Sequence, residues 1–214
     1  MFFTSGLRLA RHGVLQGAGQ AGFGGIKPCG GAIPPRLIQD FAIPDEMLVA
    51  RATAARMISP QAVEVDIPIE GGFVGMVDRE DFDHYLRQRA VEAGAVLVDG
   101  SFLDWTRSED GTSVVTYQCK ESRSRVEARA LCVIGADGAN SAVARAALPK
   151  SGRAPFVFAY HEIISAPQAS STHDPERCDV YYRGTLSPDF YGWVFPHGDT
   201  MSVGTGSADK GFSL

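Results

Sequence analysis

Three separated groups of residues in this chain are of types that do chemistry: Cys29-Gly30-Gly31, Gly135-Ala136-Asp137-Gly138, and the aromatic run Tyr191-Gly192-Trp193-Val194-Phe195-Pro196. The aromatic run is followed by Gly204-Thr205-Gly206. Side chains alternate along a strand, so Tyr191, Trp193 and Phe195 project to one side and Gly192 and Val194 to the other. His197-Gly198-Asp199-Thr200 supplies turn chemistry, and the segment from Met201 to Gly206 runs back antiparallel. Gly204 and Gly206 then let another group come close to the backbone. Three rings on one face are either the wall of an apolar cavity or ordinary core, and strand composition alone favours core.

The second group follows Ala130-Leu131-Cys132-Val133-Ile134, a continuous apolar run that reads as a strand covered on both faces. It empties into Gly135-Ala136-Asp137-Gly138-Ala139-Asn140-Ser141, before a helical stretch from Ala142 to Leu148. A strand, a glycine turn and a helix define a ligand crevice at the carboxyl end of the strand. Gly135 and Gly138 permit close backbone approach, and Asp137 accepts hydrogen bonds from sugar or ribityl hydroxyls. An Asp-Gly turn with no ligand is the competing reading. Gly17-Ala18-Gly19-Gln20-Ala21-Gly22 also satisfies the dinucleotide pattern Gly-x-Gly-x-x-Gly. Without a strand before it or a helix after it, that match reads as coincidence.

Charge and composition exclude several classes. With 44% hydrophobic and 21% charged residues over 214 positions, the chain has the make-up of a globular protein with a sizeable core. A net charge of -5, with no stripe of Lys and Arg, offers no electrostatic footprint for nucleic acid. No apolar run approaches the ~20 residues that span a bilayer, so the chain reads as cytoplasmic. Cys29, Cys119, Cys132 and Cys178 are far apart and lack ligand spacing, so neither a metal site nor a disulfide framework is expected. Cys132 is read as a buried thiol and Cys29, among glycines, as the distinctive one.

The elements that must position these groups follow from periodicity. Arg36 to Phe41 reads as a short helix behind Pro34-Pro35. Ala54 to Ser59 and Ala62 to Ile67 read as a half-exposed hairpin, and Phe73 to Val77 as a strand. A helix capped by Asp78 carries Phe82, Tyr85, Leu86, Ala90 and Ala93 on one face and ends at Gly94. With Ala95 to Val98 it makes a strand-helix-strand unit of the kind that builds parallel sheets. Phe102 to Arg107, Ser113 to Cys119 and Val126 to Ala130 form a meander. The first 26 residues show no convincing strand.

Taken in order, Lys27-Pro28-Cys29-Gly30-Gly31-Ala32-Ile33-Pro34, Met76-Val77-Asp78-Arg79-Glu80, Gly135-Ala136-Asp137-Gly138 and the aromatic hairpin resemble the geranylgeranyl reductase family, most closely its bacteriochlorophyll-synthesis branch. The likeness runs from about Ile26 to Leu214, and it is the combined order and spacing that is specific. It implies an α/β fold: an FAD-binding, Rossmann-like domain of the aromatic-hydroxylase and geranylgeranyl reductase type, with a partial antiparallel substrate-binding sheet. The implied cofactor domain is discontinuous, residues 1–42 and 73–149, and the substrate domain comprises 43–72 and 150–214. By resemblance, Asp137 with Gly135 and Gly138 contacts the ribityl or pyrophosphate region of FAD and Arg79 contacts the flavin. Cys29, Gly30 and Gly31 lie near the isoalloxazine. Tyr191, Trp193, Phe195, Gly204 and Gly206 border the prenyl-chain cavity.

The implied reaction is saturation of carbon-carbon double bonds of a geranylgeranyl group, carried as diphosphate or as a bacteriochlorophyll ester, with NADPH recharging the flavin. Cys29 is the candidate for tuning or protonating the site, a steric role being the alternative. His161 and Glu162 face the same sheet, His161 as a satisfied core histidine. A flavin monooxygenase and a non-catalytic remnant of a reductase are the competing readings. Two departures from the family are expected to matter. Only Leu9 to Gly13 resembles the early helix, with Val14 to Gly25 unmatched, and the sequence stops before the later flavin-contacting segment. A lipid-like substrate also implies peripheral contact with a membrane surface.

Overall fold

The computed structural model describes residues 6–9, 13–16, 29–150, 152, 154–170 and 172–212, the first two segments as backbone. The chain forms two compact units, Met1–Gly25 with Asp83–Ala154, and Ile26–Phe82 with Pro155–Leu214. These divisions differ from the expected cofactor and substrate boundaries: segments 26–42 and 73–82 belong to the unit that holds the aromatic hairpin.

In the first unit, β1 (Gly6–Leu9), β2 (Gly13–Gln16), β8 (Val96–Arg107), β9 (Ser113–Cys119), β10 (Arg125–Ala130) and β11 (Val133–Ala136) form one mixed sheet in the order β10-β9-β8-β2-β1-β11. β2 runs parallel to β8, and the other pairs are antiparallel. Two expectations change here. The opening segment does hold strands, because pairing partners far along the chain outweigh its glycine content. β2 ends at Gln16, directly before the Gly17–Gly22 pattern, which itself lies outside the described residues. The expected short strand 95–98 and the strand 102–107 are one twelve-residue strand, with a bulge between Phe102 and Asp104.

The run Ala130 to Ile134 is not one buried strand. β10 ends at Ala130 and β11 begins at Val133, so Leu131 is 84% exposed and Cys132, read as buried, is exposed too. An apolar run carries no mark of where a chain turns inside it. The core of this unit is Val115, Tyr117, Ala130 and Val143, the last from α3 (Ala142–Ala147), with Val98, Phe102 and Trp105 packed against them.

The second unit holds β3 (Ala32–Ile33), β4 (Ala50–Ala52), β5 (Ala54–Ile58), β6 (Glu64–Pro68), β7 (Val74–Met76), β12 (Phe158–Ser165), β13 (Arg177–Tyr181), β14 (Gly192–His197) and β15 (Thr200–Ser207). They form a six-stranded sheet in the order β12-β15-β14-β13-β5-β6 and a three-stranded one in the order β3-β7-β4. All pairs are antiparallel except β13 with β5. The hairpin β5–β6 forms as predicted, and α1 (Pro35–Asp40) begins at a proline, whose fixed φ suits a first turn.

α2 (Arg79–Glu92) starts where predicted. The Asp78 carboxylate accepts the Glu80 N–H at 3.0 Å, Phe82 is buried, and Gly94, at φ +91°, follows its end. It does not make a parallel strand-helix-strand unit. β7 is three residues long and already paired on both edges by β3 and β4, while β8 belongs to the other unit's sheet. Ala52, Met76 and Cys178 form the core beneath these strands, with Phe195 packed on it.

Candidate functional site

The acidic turn of the first unit is built by its own helix. One Asp137 oxygen accepts a short hydrogen bond from the Ser141 hydroxyl. The other accepts the N–H groups of Ala142, at 2.7 Å, and Val143, at 3.1 Å. Ser141 in turn accepts the Ala144 N–H at 2.8 Å, so the first turn of α3 is capped twice over. Gly135 is needed for packing, since a Cβ there would lie 2.9 Å from the Val143 side chain. Gly138, at φ +82°, faces open space. Both carboxylate oxygens are thus engaged locally, and the open backbone at Gly138 is the part of the turn free to meet a ligand.

Cys29, Gly30 and Gly31 are held by long-range contacts in the second unit. Val77 N–H donates to the Gly31 carbonyl at 2.9 Å, and the His197 ring donates from Nε2 to the Gly30 carbonyl at 3.0 Å. Because a carbonyl only accepts, that bond fixes the proton of His197 on Nε2. Gly31, at φ +71°, sits where a Cβ would lie 2.4 Å from the Val77 carbonyl oxygen, so no other residue fits. Around this segment lies a cleft of ≈ 90 Å³ lined by Cys29, Asp78, Arg79, His161, His197 and Thr200, with Val49, Val77 and Ile163. The fold therefore brings Cys29, Arg79 and His161 to one cleft. Burial, and next the nearby His197, pull the His161 imidazole below its ordinary value.

The aromatic residues lie on one face as alternation requires. The Tyr191 and Trp193 rings meet edge to face at 6.1 Å, and Trp193 and Phe195 are 6.5 Å apart. Phe190 stacks on Tyr191 at 4.1 Å. Burial first, then Tyr182 and Cys29, push the Tyr191 phenol above its ordinary value. The glycines serve these rings. A Cβ at Gly204 would lie 2.2 Å from the Trp193 indole and one at Gly30 2.3 Å from the Phe195 ring, whereas one at Gly206 would meet the Phe158 carbonyl oxygen at 2.8 Å before Phe190 at 3.1 Å. The group that approaches the Gly204 backbone is thus Trp193 itself, which is 5% exposed.

The opposite face of the same sheet holds what sequence reasoning missed: an apolar groove of ≈ 420 Å³ lined by Tyr160, Glu162, Tyr181, Leu186, Val194 and Val203. The Tyr160 hydroxyl donates to Glu162 at 2.6 Å, so Glu162 lies on the groove face of the sheet while His161 lines the cleft. His197 was also missed, since it reads as a turn residue. It is the last residue of β14, and the turn proper is Gly198-Asp199. Register decides both points, and pairing partners are not visible in one strand's sequence.

Among the described residues no group of three or more His, Cys, Asp or Glu side chains is placed to hold a metal, and no helix is long and apolar enough to cross a membrane. The four cysteines are free thiols.

No family model matches the chain. Its relatives do. The geranylgeranyl diphosphate reductase of Rhodobacter capsulatus is 59% identical over 191 residues, 89% of this chain and 48% of that protein. The chloroplastic geranylgeranyl diphosphate reductase of Arabidopsis thaliana is 39% identical over 85% of this chain and 40% of its own length. Among solved structures, a geranylgeranyl bacteriochlorophyll reductase-like protein from Thermoplasma acidophilum superimposes with a TM-score of 0.72 at 24% identity, over 84% of this chain and 46% of that one. A flavin-dependent brominase does so at 0.67 and 17%, over 90% and 50%. The fold is that shared by these proteins, and the chain spans about half the length of the curated relatives it matches. With the Cys-Gly-Gly segment, the acidic glycine turn and the aromatic hairpin in order along a chain of which 89% matches the Rhodobacter capsulatus reductase, the chain belongs to the geranylgeranyl reductase family.

Proposed function

We propose that this chain acts as an FAD-dependent reductase that saturates double bonds of a geranylgeranyl group, as the diphosphate or the bacteriochlorophyll ester, with NADPH as reductant, in bacteriochlorophyll synthesis. The observation that carries this reading is the 59% identity to the Rhodobacter capsulatus reductase over 89% of the chain. Each unit has features that fit the cofactor. Gly138 presents open backbone beside a turn made rigid by Asp137. The cleft offers the Arg79 guanidinium and two imidazoles to a heterocycle rich in hydrogen-bond acceptors that gains negative charge on reduction. When bound, the flavin supplies the hydride.

The chain's own residues have the remaining work. Gly135, Asp137 and Gly138 shape the turn, and Arg79 supplies positive charge. His197 holds the Cys29-Gly30-Gly31 segment against the hairpin. Cys29, in the cleft, is the thiol placed to hold or deliver a proton or to fill space beside the cofactor. Tyr191, Trp193 and Phe195, of which Trp193 is 5% exposed, make the apolar, electron-rich backing assigned to a prenyl chain whose reduction develops cationic character. Peripheral contact with a membrane surface suits such a substrate.

The test is anaerobic incubation of the purified chain with FAD, NADPH and geranylgeranyl diphosphate. Mass spectrometry of the prenyl product should show gain of hydrogen. Substrate-stimulated oxygen uptake instead would indicate a monooxygenase, and bound flavin with unchanged substrate would overturn the proposed turnover.

A further inference from the structure

One buried chain of hydrogen bonds links the cleft to the aromatic face. The Trp193 indole N–H donates to the Ser202 hydroxyl at 3.1 Å, and Ser202 Oγ lies 3.1 Å from His161 Nδ1. Ser202 has no exposed surface, and β12, β15 and β14 place His161, Ser202 and Trp193 on one face of the sheet. An indole nitrogen only donates, so the hydroxyl proton of Ser202 has nowhere to go along this chain except to His161 Nδ1. If His161 Nδ1 carried a proton instead, two donors would point at Ser202 Oγ and its own proton would be stranded in a dry site. The arrangement that satisfies every group runs Trp193 to Ser202 to His161, with the His161 proton on Nε2.

We infer that His161 is a positioning residue for Trp193, acting through Ser202 so that the protonation state in the cleft sets how the indole sits in the aromatic wall. Protonating His161 turns Nδ1 from acceptor to donor and breaks the chain at Ser202. The titratable and charged groups around His161 are Cys29 before β3, Asp78 and Arg79 at the start of α2, and His197 on β14. The inference rests on reading the aromatic face as the prenyl wall only for its functional consequence. The chain of bonds stands apart from it.

The test uses Trp193 as sole emitter, after Trp105→Phe. Trp105 is suitable to replace because its buried Nε1 has no hydrogen-bond partner to lose. Acidification from about pH 8 to pH 5 should shift Trp193 emission in one step. Ser202→Ala and His161→Gln should abolish the step, and His161→Gln should keep the high-pH emission because its side-chain oxygen accepts from Ser202. His197→Gln, in the same cleft but outside the chain of bonds, should retain the step. A step that survives in His161→Gln, or emission flat across the range, overturns the inference. Nitrogen-15 NMR of the histidines gives a second reading that does not depend on variants: His161 must be protonated on Nε2 at high pH, and protonation on Nδ1 overturns it. Adding geranylgeranyl diphosphate separates the two levels. A prenyl-induced change in Trp193 emission without a pH step sinks the relay alone. A pH step without a prenyl response sinks the wall and leaves the relay.

Discussion

Asp137 and Cys29 each sit at a glycine corner, and they are held in opposite ways. Everything that grips Asp137 lies within six residues of it, in the first turn of α3. The Cys29 segment is gripped by Val77 and by His197, the latter 167 residues from Gly30. The first corner spends its acid on local structure and leaves backbone open. The second spends backbone on long-range clamps and leaves side chains facing a cleft. A ligand-binding corner can therefore be built either way, and only the second kind depends on distant parts of the chain staying folded.

Substitutions at the two left-handed glycines test this contrast most strongly. Gly31→Ala meets both a positive φ and the Val77 carbonyl 2.4 Å away, so it should cost about 3 kcal/mol or more in urea unfolding. Gly138→Ala has the same kind of backbone and open space around it, so it should cost only about 1–2 kcal/mol. Equal costs would erase the distinction. Asp137→Ala removes one of the two caps of α3 and should cost about 1 kcal/mol, with some loss of helical circular dichroism.

The clamp on the other corner is no stronger singly. His197→Ala should cost about 1 kcal/mol. Its sharper readout is faster alkylation of Cys29 in a background with Cys119→Ser and Cys132→Ser. Cys178 stays silent in that assay, because burial and then Asp179 push its thiol up to about 12. Unchanged Cys29 reactivity would show that His197 does not hold the segment.

The smallest effect expected is one of pH. The folded His161 value lies below the ordinary 6.5, so the unfolded chain binds the proton more readily. Its contribution to stability is fully present above 6.5 and is lost as pH falls through the folded value. His161→Gln should therefore flatten the fall in stability on the acid side of 6.5, as followed by urea midpoints. A fall of the same size in both proteins would assign it to other groups.

What was legible in the sequence was what periodicity and caps encode. The hairpin of Tyr191 to Gly206, the helix capped by Asp78 and ended at Gly94, and the helix after Ser141 all form as read. The family was legible from four motifs in order. What was hidden depends on pairing. Nothing in Ala130 to Ile134 marks the break at Leu131, and nothing in Phe73 to Val98 says that its two strands join different sheets. His197 looks like turn material until register makes it a strand residue facing Gly30, and the groove at Tyr160 and Tyr181 needs four strands in order before it exists.

Titration of FAD into the purified chain, followed by flavin fluorescence in parallel with Arg79→Ala and Gly138→Val variants, tests cofactor binding directly. The parent chain should quench flavin fluorescence saturably, and the quenching should weaken in both variants. Flavin fluorescence left unquenched by the parent chain, or quenching that both substitutions leave intact, rules out cofactor binding at these residues.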